Sequence, residues 1–154
     1  AASAVVVPGS GTFGMEAVAR QFATGRKCLV IRNGWFSYRW TQIFDMGQIP
    51  SESTVLKART VGNEPQSPFA PAPIDEVVGT IQREKPDLVF APHVETSSGI
   101  MLPDDYIRQA ADAVGAVALE REDRAVGAAH RCAQRRAVGE ERRRDRAVGH
   151  IDDG

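Results

Sequence analysis

The sequence predicts an α/β domain built on a mostly parallel sheet with flanking helices. Two observations lead there. Up to about Val117, short apolar runs alternate with longer segments whose apolar residues recur at helical spacing. Strands separated by amphipathic helices form β-α-β units, and such units make parallel sheets covered on both faces. After Ala118 the alternation stops, which predicts a domain over 1–117 and a separate tail over 118–154.

The elements follow in order. Ala4, Val5, Val6 and Val7 read as a strand, 4–7. A helix over 12–23 puts Met15, Val18, Ala19 and Phe22 on one face and ends at Thr24-Gly25. A strand over 27–32 follows, with Cys28 inside it as a buried thiol. The helix over 35–46 groups Phe36, Trp40, Ile43 and Phe44, of which Trp40 is expected in the core. Residues 53–59 read as a strand centred on Val55 and Leu56. The stretch from Gly62 to Pro73 holds four prolines and reads as a loop. A helix over 74–84 carries Ile74, Val77, Val78 and Ile81, and Pro86 stops it before the short strand Leu88-Val89-Phe90. Pro92 to Met101 reads as a loop, and a helix over 103–114 presents Tyr106, Ile107, Ala110, Ala111 and Val114.

Ligands bind at the carboxyl ends of strands in sheets of this kind. The loops 8–12, 33–39 and 91–99 each follow an expected strand, so they are expected to meet at one edge. Pro8-Gly9-Ser10-Gly11-Thr12-Phe13-Gly14 joins strand to helix. Small residues there admit an anion, and the unpartnered N–H groups and dipole of the helix start attract it. A phosphate-bearing ligand is therefore expected at Ser10, Gly11 and Thr12, against the alternative of an ordinary tight turn. Gly9-x-Gly11-x-x-Gly14 also spells a dinucleotide fingerprint, but the second strand ends Arg32-Asn33-Gly34 without an acid. NAD fails that test, and NADP survives only through Arg32.

Trp35 and Phe36 stand just past the second strand, where an aromatic can stack on a planar ring or simply join the core. His93-Val94-Glu95-Thr96-Ser97-Ser98-Gly99 gathers polar groups after the strand 87–91. His93 with Glu95 suggests a metal on two ligands only. Ser97 with His93 suggests a hydrolase, but the G-x-S-x-G elbow is missing. A polar surface loop is the plain alternative.

The bulk properties narrow the field. The 154 residues suffice for one domain with a core, and the net charge of −1 gives no pull toward nucleic acid. No apolar run reaches the ~20 residues of a membrane helix, and no secretory leader is visible, so no membrane partner and a cytoplasmic setting are expected. Cys28 and Cys132 show no metal or redox spacing. The chain opens on a core strand without Met, which reads as an internal piece of something longer.

Taken together, the three loops resemble the class V, fold-type-I pyridoxal-phosphate aminotransferases, and within them the alanine–glyoxylate and serine–pyruvate group. Gly9-Ser10-Gly11-Thr12 with Met15-Glu16-Ala17 resembles the phosphate-loop signature. Asn33-Gly34, an aromatic two positions on and Arg39 resemble the second motif, and His93-x-Glu95-Thr96-Ser97-Ser98-Gly99 resembles the third. The resemblance covers roughly residues 1–117. It implies pyridoxal 5′-phosphate as cofactor, held by backbone amides near Gly11 and Thr12 with the Ser10 or Thr12 hydroxyl. It further implies that Phe36 stacks on the ring, with Trp35 as the alternative, and that Thr96 bonds the ring's hydroxyl side. The implied reaction is transamination between an amino acid and a 2-oxo acid, in a family whose full-length members are expected to be homodimers.

The chain departs from the family where the chemistry is completed. The family places an Asp against the pyridine nitrogen and, further on, a Lys that links covalently to the cofactor. Here Ala118-Leu119-Glu120-Arg121-Glu122-Asp123 stands instead, and the lysines are Lys27, Lys57 and Lys85, none in that context. Residues 118–154 hold nine Arg, eight acids, two His, no aromatic and three copies of Arg-Ala-Val-Gly at uneven spacing. Such text is too sparse in apolar residues for a core. It reads as what a GC-rich gene gives out of frame, and its balanced charge speaks against a nucleic-acid arm. The expectation is an inactive fragment of an aminotransferase. The alternatives are a non-catalytic remnant and an NADP-binding Rossmann fragment.

Overall fold

The computed structural model describes residues 6–121. Its first helix, α1 (Gly11–Val18), runs on through one π-helical turn, Ala19–Ala23. Ala19 and Ala23 are fully buried, and Gly25 at φ +68° turns the chain into the sheet, its N–H donating to the Ile49 carbonyl at 2.8 Å. Strand β1 (Lys27–Arg32) comes next, then α2 (Trp35–Gly47) and β2 (Glu52–Lys57). Two short strands, β3 (Arg59–Thr60) and β4 (Phe69–Ala70), form an antiparallel pair. Helix α3 (Ile74–Glu84) leads to β5 (Leu88–Phe90), and β6 (Val94–Glu95) pairs antiparallel with β7 (Ile100–Met101). A last helix, α4, covers 104–121.

The main sheet is parallel, in the order β2-β1-β5. This is the α/β architecture with flanking helices that the sequence predicts. β1 is its centre because its four middle residues are apolar on both faces. Cys28 and Val30 face one core with Ala19, Ala23, Phe44 and Phe90. Leu29 and Ile31 face the other, with Val77, Ile81, Leu102 and Tyr106. Alternate side chains point to opposite faces, so such a strand is buried whichever way it turns. Trp40 packs beside the first core, its ring 4.6 Å from that of Phe90.

Local chemistry fixes the helix ends. α3 carries Asp75 and Glu76 in its first turn and Arg83 in its last, matching charge to the helix dipole. Its chain reverses at Lys85, in the left-handed region at φ 50°, and Pro86 prevents the helix from continuing. At the amino end of β1, Lys27 pairs with Glu52 at 3.1 Å and Glu84 at 3.2 Å, joining β1 to β2 and α3.

Four expectations change. Val6 and Val7, the described part of the expected strand 4–7, lie in open chain, 96% and 53% exposed. The three-stranded sheet is complete as β2-β1-β5 without this segment, and without a partner strand an apolar run has nothing to hold it extended. Ala4 and Val5 lie outside the described residues. The two expected loops, 62–73 and 92–101, each contribute to a short antiparallel pair. The expected strand 53–59 ends at Lys57, with Arg59–Thr60 turning to pair with β4. The last helix passes its expected end at 114. Chain packing distinguishes two units, Ala1–Val117 and Ala118–Gly154. Residues 118–121 of the second are described and are helical, and the rest of the expected tail, with Cys132, lies outside the described residues.

Candidate functional site

Three segments carry the candidate residues. The first is the start of α1. Ser10 is its N-cap, with extended backbone, and its side chain makes no capping bond. The Ser10 carbonyl accepts the Gly14 N–H at 3.2 Å, which leaves the N–H groups of the first turn free. Ser10, Gly11 and Thr12 are all exposed, and a Cβ built on Gly11 would meet nothing within 4 Å. The segment is thus an open helix start. It follows no strand among the described residues, so one premise of the convergence argument falls away for loop 8–12.

The second segment is the start of α2, directly after β1. Here the helix start is fully partnered. Its N-cap, Gly34, has no side chain to offer, and the hairpin β6–β7 supplies the acceptors. Ser97 Oγ accepts the Trp35 N–H at 2.8 Å. Glu95 accepts the Phe36 N–H at 3.1 Å and the Ser37 N–H at 2.8 Å. The hydroxyls of Ser37 and Ser97 donate to the same carboxylate at 2.7 and 2.5 Å. The Ser37 hydroxyl also accepts the N–H groups of Asn33 and Gly34 at 2.8 and 3.0 Å. Glu95 is 0% exposed. Burial alone would raise its carboxyl. The donors from Ser97, Ser37 and Phe36 outweigh it and hold the group below the ordinary carboxylate range.

Gly34 is required by this arrangement. Its φ of 178° is open to any residue, but a Cβ there would overlap Ser97 Oγ and stand 2.7 Å from Glu95 Cγ. The carboxylate occupies the place where a capping side chain would sit.

The third segment is the hairpin turn itself. Thr96 lies between Glu95 and Ser97 and is exposed, as are Trp35 and Phe36 at 59% and 56%. The structure therefore brings Phe36 and Thr96 into one neighbourhood, through the bonds of Glu95. Thr12 meets α2 one turn further on, in a polar cleft of about 330 Å³ walled by Glu16, Arg20, Arg39 and Gln42. Phe36 and Thr96 do not line that cleft. An apolar cleft of about 300 Å³, between β5 and α4 and walled by Ile31, Val89, Leu102 and Tyr106, contains none of the candidate residues.

Several sequence-level suggestions are corrected by these contacts. Both Glu95 oxygens are taken by N–H and O–H donors, and the described residues contain no group of three His, Cys, Asp or Glu able to hold a metal. Ser97 bonds Glu95 and Trp35 rather than His93, which removes the hydrolase pairing. Trp35 is not a core residue. Arg32 lies over the Tyr38 ring at 5.0 Å and reaches Thr41 at 3.5 Å, so the group suggested for a 2′-phosphate is already engaged. The role of Glu95 escaped the sequence because its partners are 58 and 59 residues away. The one local signal was Gly34, a helix start without a capping side chain.

No protein-family profile matches the chain, and no curated protein matches it. Among solved structures, the fold is similar to the ureidoglycine–glyoxylate aminotransferase of Bacillus subtilis, with a TM-score of 0.53 at 21% identity. The likeness covers 69% of this chain and 25% of that one, so the chain spans about a quarter of that protein's length. At this identity the shared property is the fold.

Proposed function

We propose that the unit Ala1–Val117 is the cofactor-binding part of a class V aminotransferase large domain. It binds pyridoxal 5′-phosphate non-covalently and does not transaminate alone. The observation that carries this reading is the joining of Phe36 and Thr96 through Glu95, on a fold shared with an aminotransferase.

The residues present fit two ends of the cofactor. The open start of α1, with space above Gly11 and the exposed hydroxyls of Ser10 and Thr12, suits the phosphate. Exposed Phe36 suits stacking on the ring, with Thr96 beside it for the ring's hydroxyl. When bound in an aminotransferase, the cofactor serves as the electron sink and amino-group carrier between an amino acid and a 2-oxo acid. This chain's own residues contribute binding and orientation.

Two of the three lysines stand away from the candidate residues. Lys27 stands at the amino end of β1, opposite the candidate residues, and is held by Glu52 and Glu84. Lys85 precedes β5, also at that end. Lys57 ends β2 level with Arg32, at the carboxyl edge of the sheet, and is therefore the lysine that the borohydride experiment must clear.

Titration with pyridoxal 5′-phosphate, followed by absorbance and tryptophan fluorescence, tests the reading. Saturable binding is expected, weakened about five-fold by Phe36→Ala through loss of ring stacking. Borohydride treatment should leave no single lysine labelled. Absence of binding, or tighter binding of NADP that Arg32→Ala abolishes, would overturn the reading.

A further inference from the structure

We infer that Glu95 is a positioning residue, which sets the spacing between Phe36 and Thr96 by fastening the start of α2 to the β6–β7 hairpin. The inference rests on the proposed cofactor site and concerns how that site is held in shape.

Glu95 itself touches no solvent and so no ligand. All its bonds run to the two elements that carry the candidate ring contacts. On α2 it accepts from Phe36 N–H, Ser37 N–H and the Ser37 hydroxyl. On its own hairpin it accepts from Ser97, which in turn takes the Trp35 N–H. Thr96 is therefore flanked by two residues that are both bonded to the first turn of α2. Phe36 cannot move away from Thr96 without breaking bonds to a buried carboxylate. Charge-assisted bonds from main-chain donors are short and strongly directional, and the helix dipole adds to them. Exposed side chains on a surface turn would otherwise be free to wander, and a preorganised pair binds without that ordering cost.

A plain capping role would stabilise α2 without fixing the hairpin, so the test separates the two. In the full-length chain, Glu95→Ala removes the clamp and the Glu95 Cγ and Cδ atoms that crowd position 34, and it leaves the Ser97 hydroxyl, no longer bonded to the carboxylate, able to turn away from that position. Adding Gly34→Ser then lets residue 34 cap α2 with its own hydroxyl, as serine does at an N-cap. Glu95→Ala is expected to lower stability, speed amide exchange at Phe36 and Ser37, and raise the dissociation constant for pyridoxal 5′-phosphate about ten-fold. The double variant G34S/E95A is expected to recover stability and amide protection while the weakened affinity persists. Recovery of affinity together with stability would reduce Glu95 to a helix cap and overturn the inference. Glu95→Gln, nearly isosteric, guards against a variant that fails to fold, with protected β1 amides as the sign of an intact sheet. If the wild-type chain does not bind the cofactor, the reading of the site fails. Exchange at the hairpin amides of Ser98 and Leu102, which donate to the Glu95 and His93 carbonyls, then decides the clamp: faster in Glu95→Gln sustains it, unchanged ends it.

Discussion

The Tyr106 hydroxyl donates a 2.8 Å hydrogen bond to the Ala72 carbonyl, and both residues are buried. The bond ties α4 to the segment that enters α3. Burial, with a smaller contribution from the Glu76 charge, pushes the phenol up to about 12, so it stays a donor throughout the working range. Tyr106→Phe should keep the ring in the core and orphan the carbonyl, at a cost of roughly 1–3 kcal/mol. Urea denaturation followed by circular dichroism reads this directly. A midpoint unchanged from wild type would show that the carbonyl finds another donor.

Gly34→Ala is expected to be far more damaging than an ordinary helix N-cap change, because the added methyl meets Glu95 Cγ and Ser97 Oγ. Overpacking of this kind costs about 1–3 kcal/mol. Combined with Glu95→Ala, the clash with Glu95 Cγ is removed and the Ser97 hydroxyl loses the carboxylate that holds it in place, so the double variant should lose less than the two single losses added together. Strict additivity in a denaturation cycle would contradict the contact.

Acid should also loosen the same region. The Glu95 carboxyl lies below its ordinary value of 4.5 in the folded chain, so the unfolded chain binds a proton more readily there. Its contribution to stability is complete above that ordinary value and is lost as pH falls through the lower, folded one. A pH series of melting temperatures should therefore fall less steeply on the acid side in Glu95→Gln than in wild type. Parallel curves would count against the carboxylate.

Cys28 should be chemically quiet. It is 1% exposed, and burial, with help from the Asp87 charge, pushes its thiol up to about 11. Its thiolate fraction near neutral pH is then roughly two orders of magnitude below that of a free cysteine. Iodoacetamide treatment followed by peptide mass mapping should leave Cys28 unmodified in the native chain and modify it in urea. Rapid native labelling would mean that β1 opens easily.

What could be read from the sequence was local and periodic. Leu29, Val30 and Ile31 announced a doubly buried strand, and Val77 and Ile81 announced the inner face of α3. Trp40, expected in the core, is half-buried and packs against it, whereas Trp35, five residues earlier, turned out to be exposed. Val6 and Val7 misled because an apolar run does not say which strand, if any, it pairs with, and among the described residues these two pair with none. Of the candidate site, the grouping of Phe36 with Thr96 follows from the order of β1 and β5. The use of Glu95 as another element's cap does not, since no rule of spacing links residues so far apart.

The start of α2 is for this reason not a local folding event. Gly34 gives the nascent helix nothing to close on, and the carboxylate that finishes it belongs to a residue 58 positions beyond Ser37. Loop closure over that distance must come first, and it is slow compared with winding a helical turn. Pulse-labelling during refolding should find the Phe36 and Ser37 amides protected no earlier than those of the hairpin. On a ribosome, the first turn of α2 would stay frayed until Ser97 had left the exit tunnel.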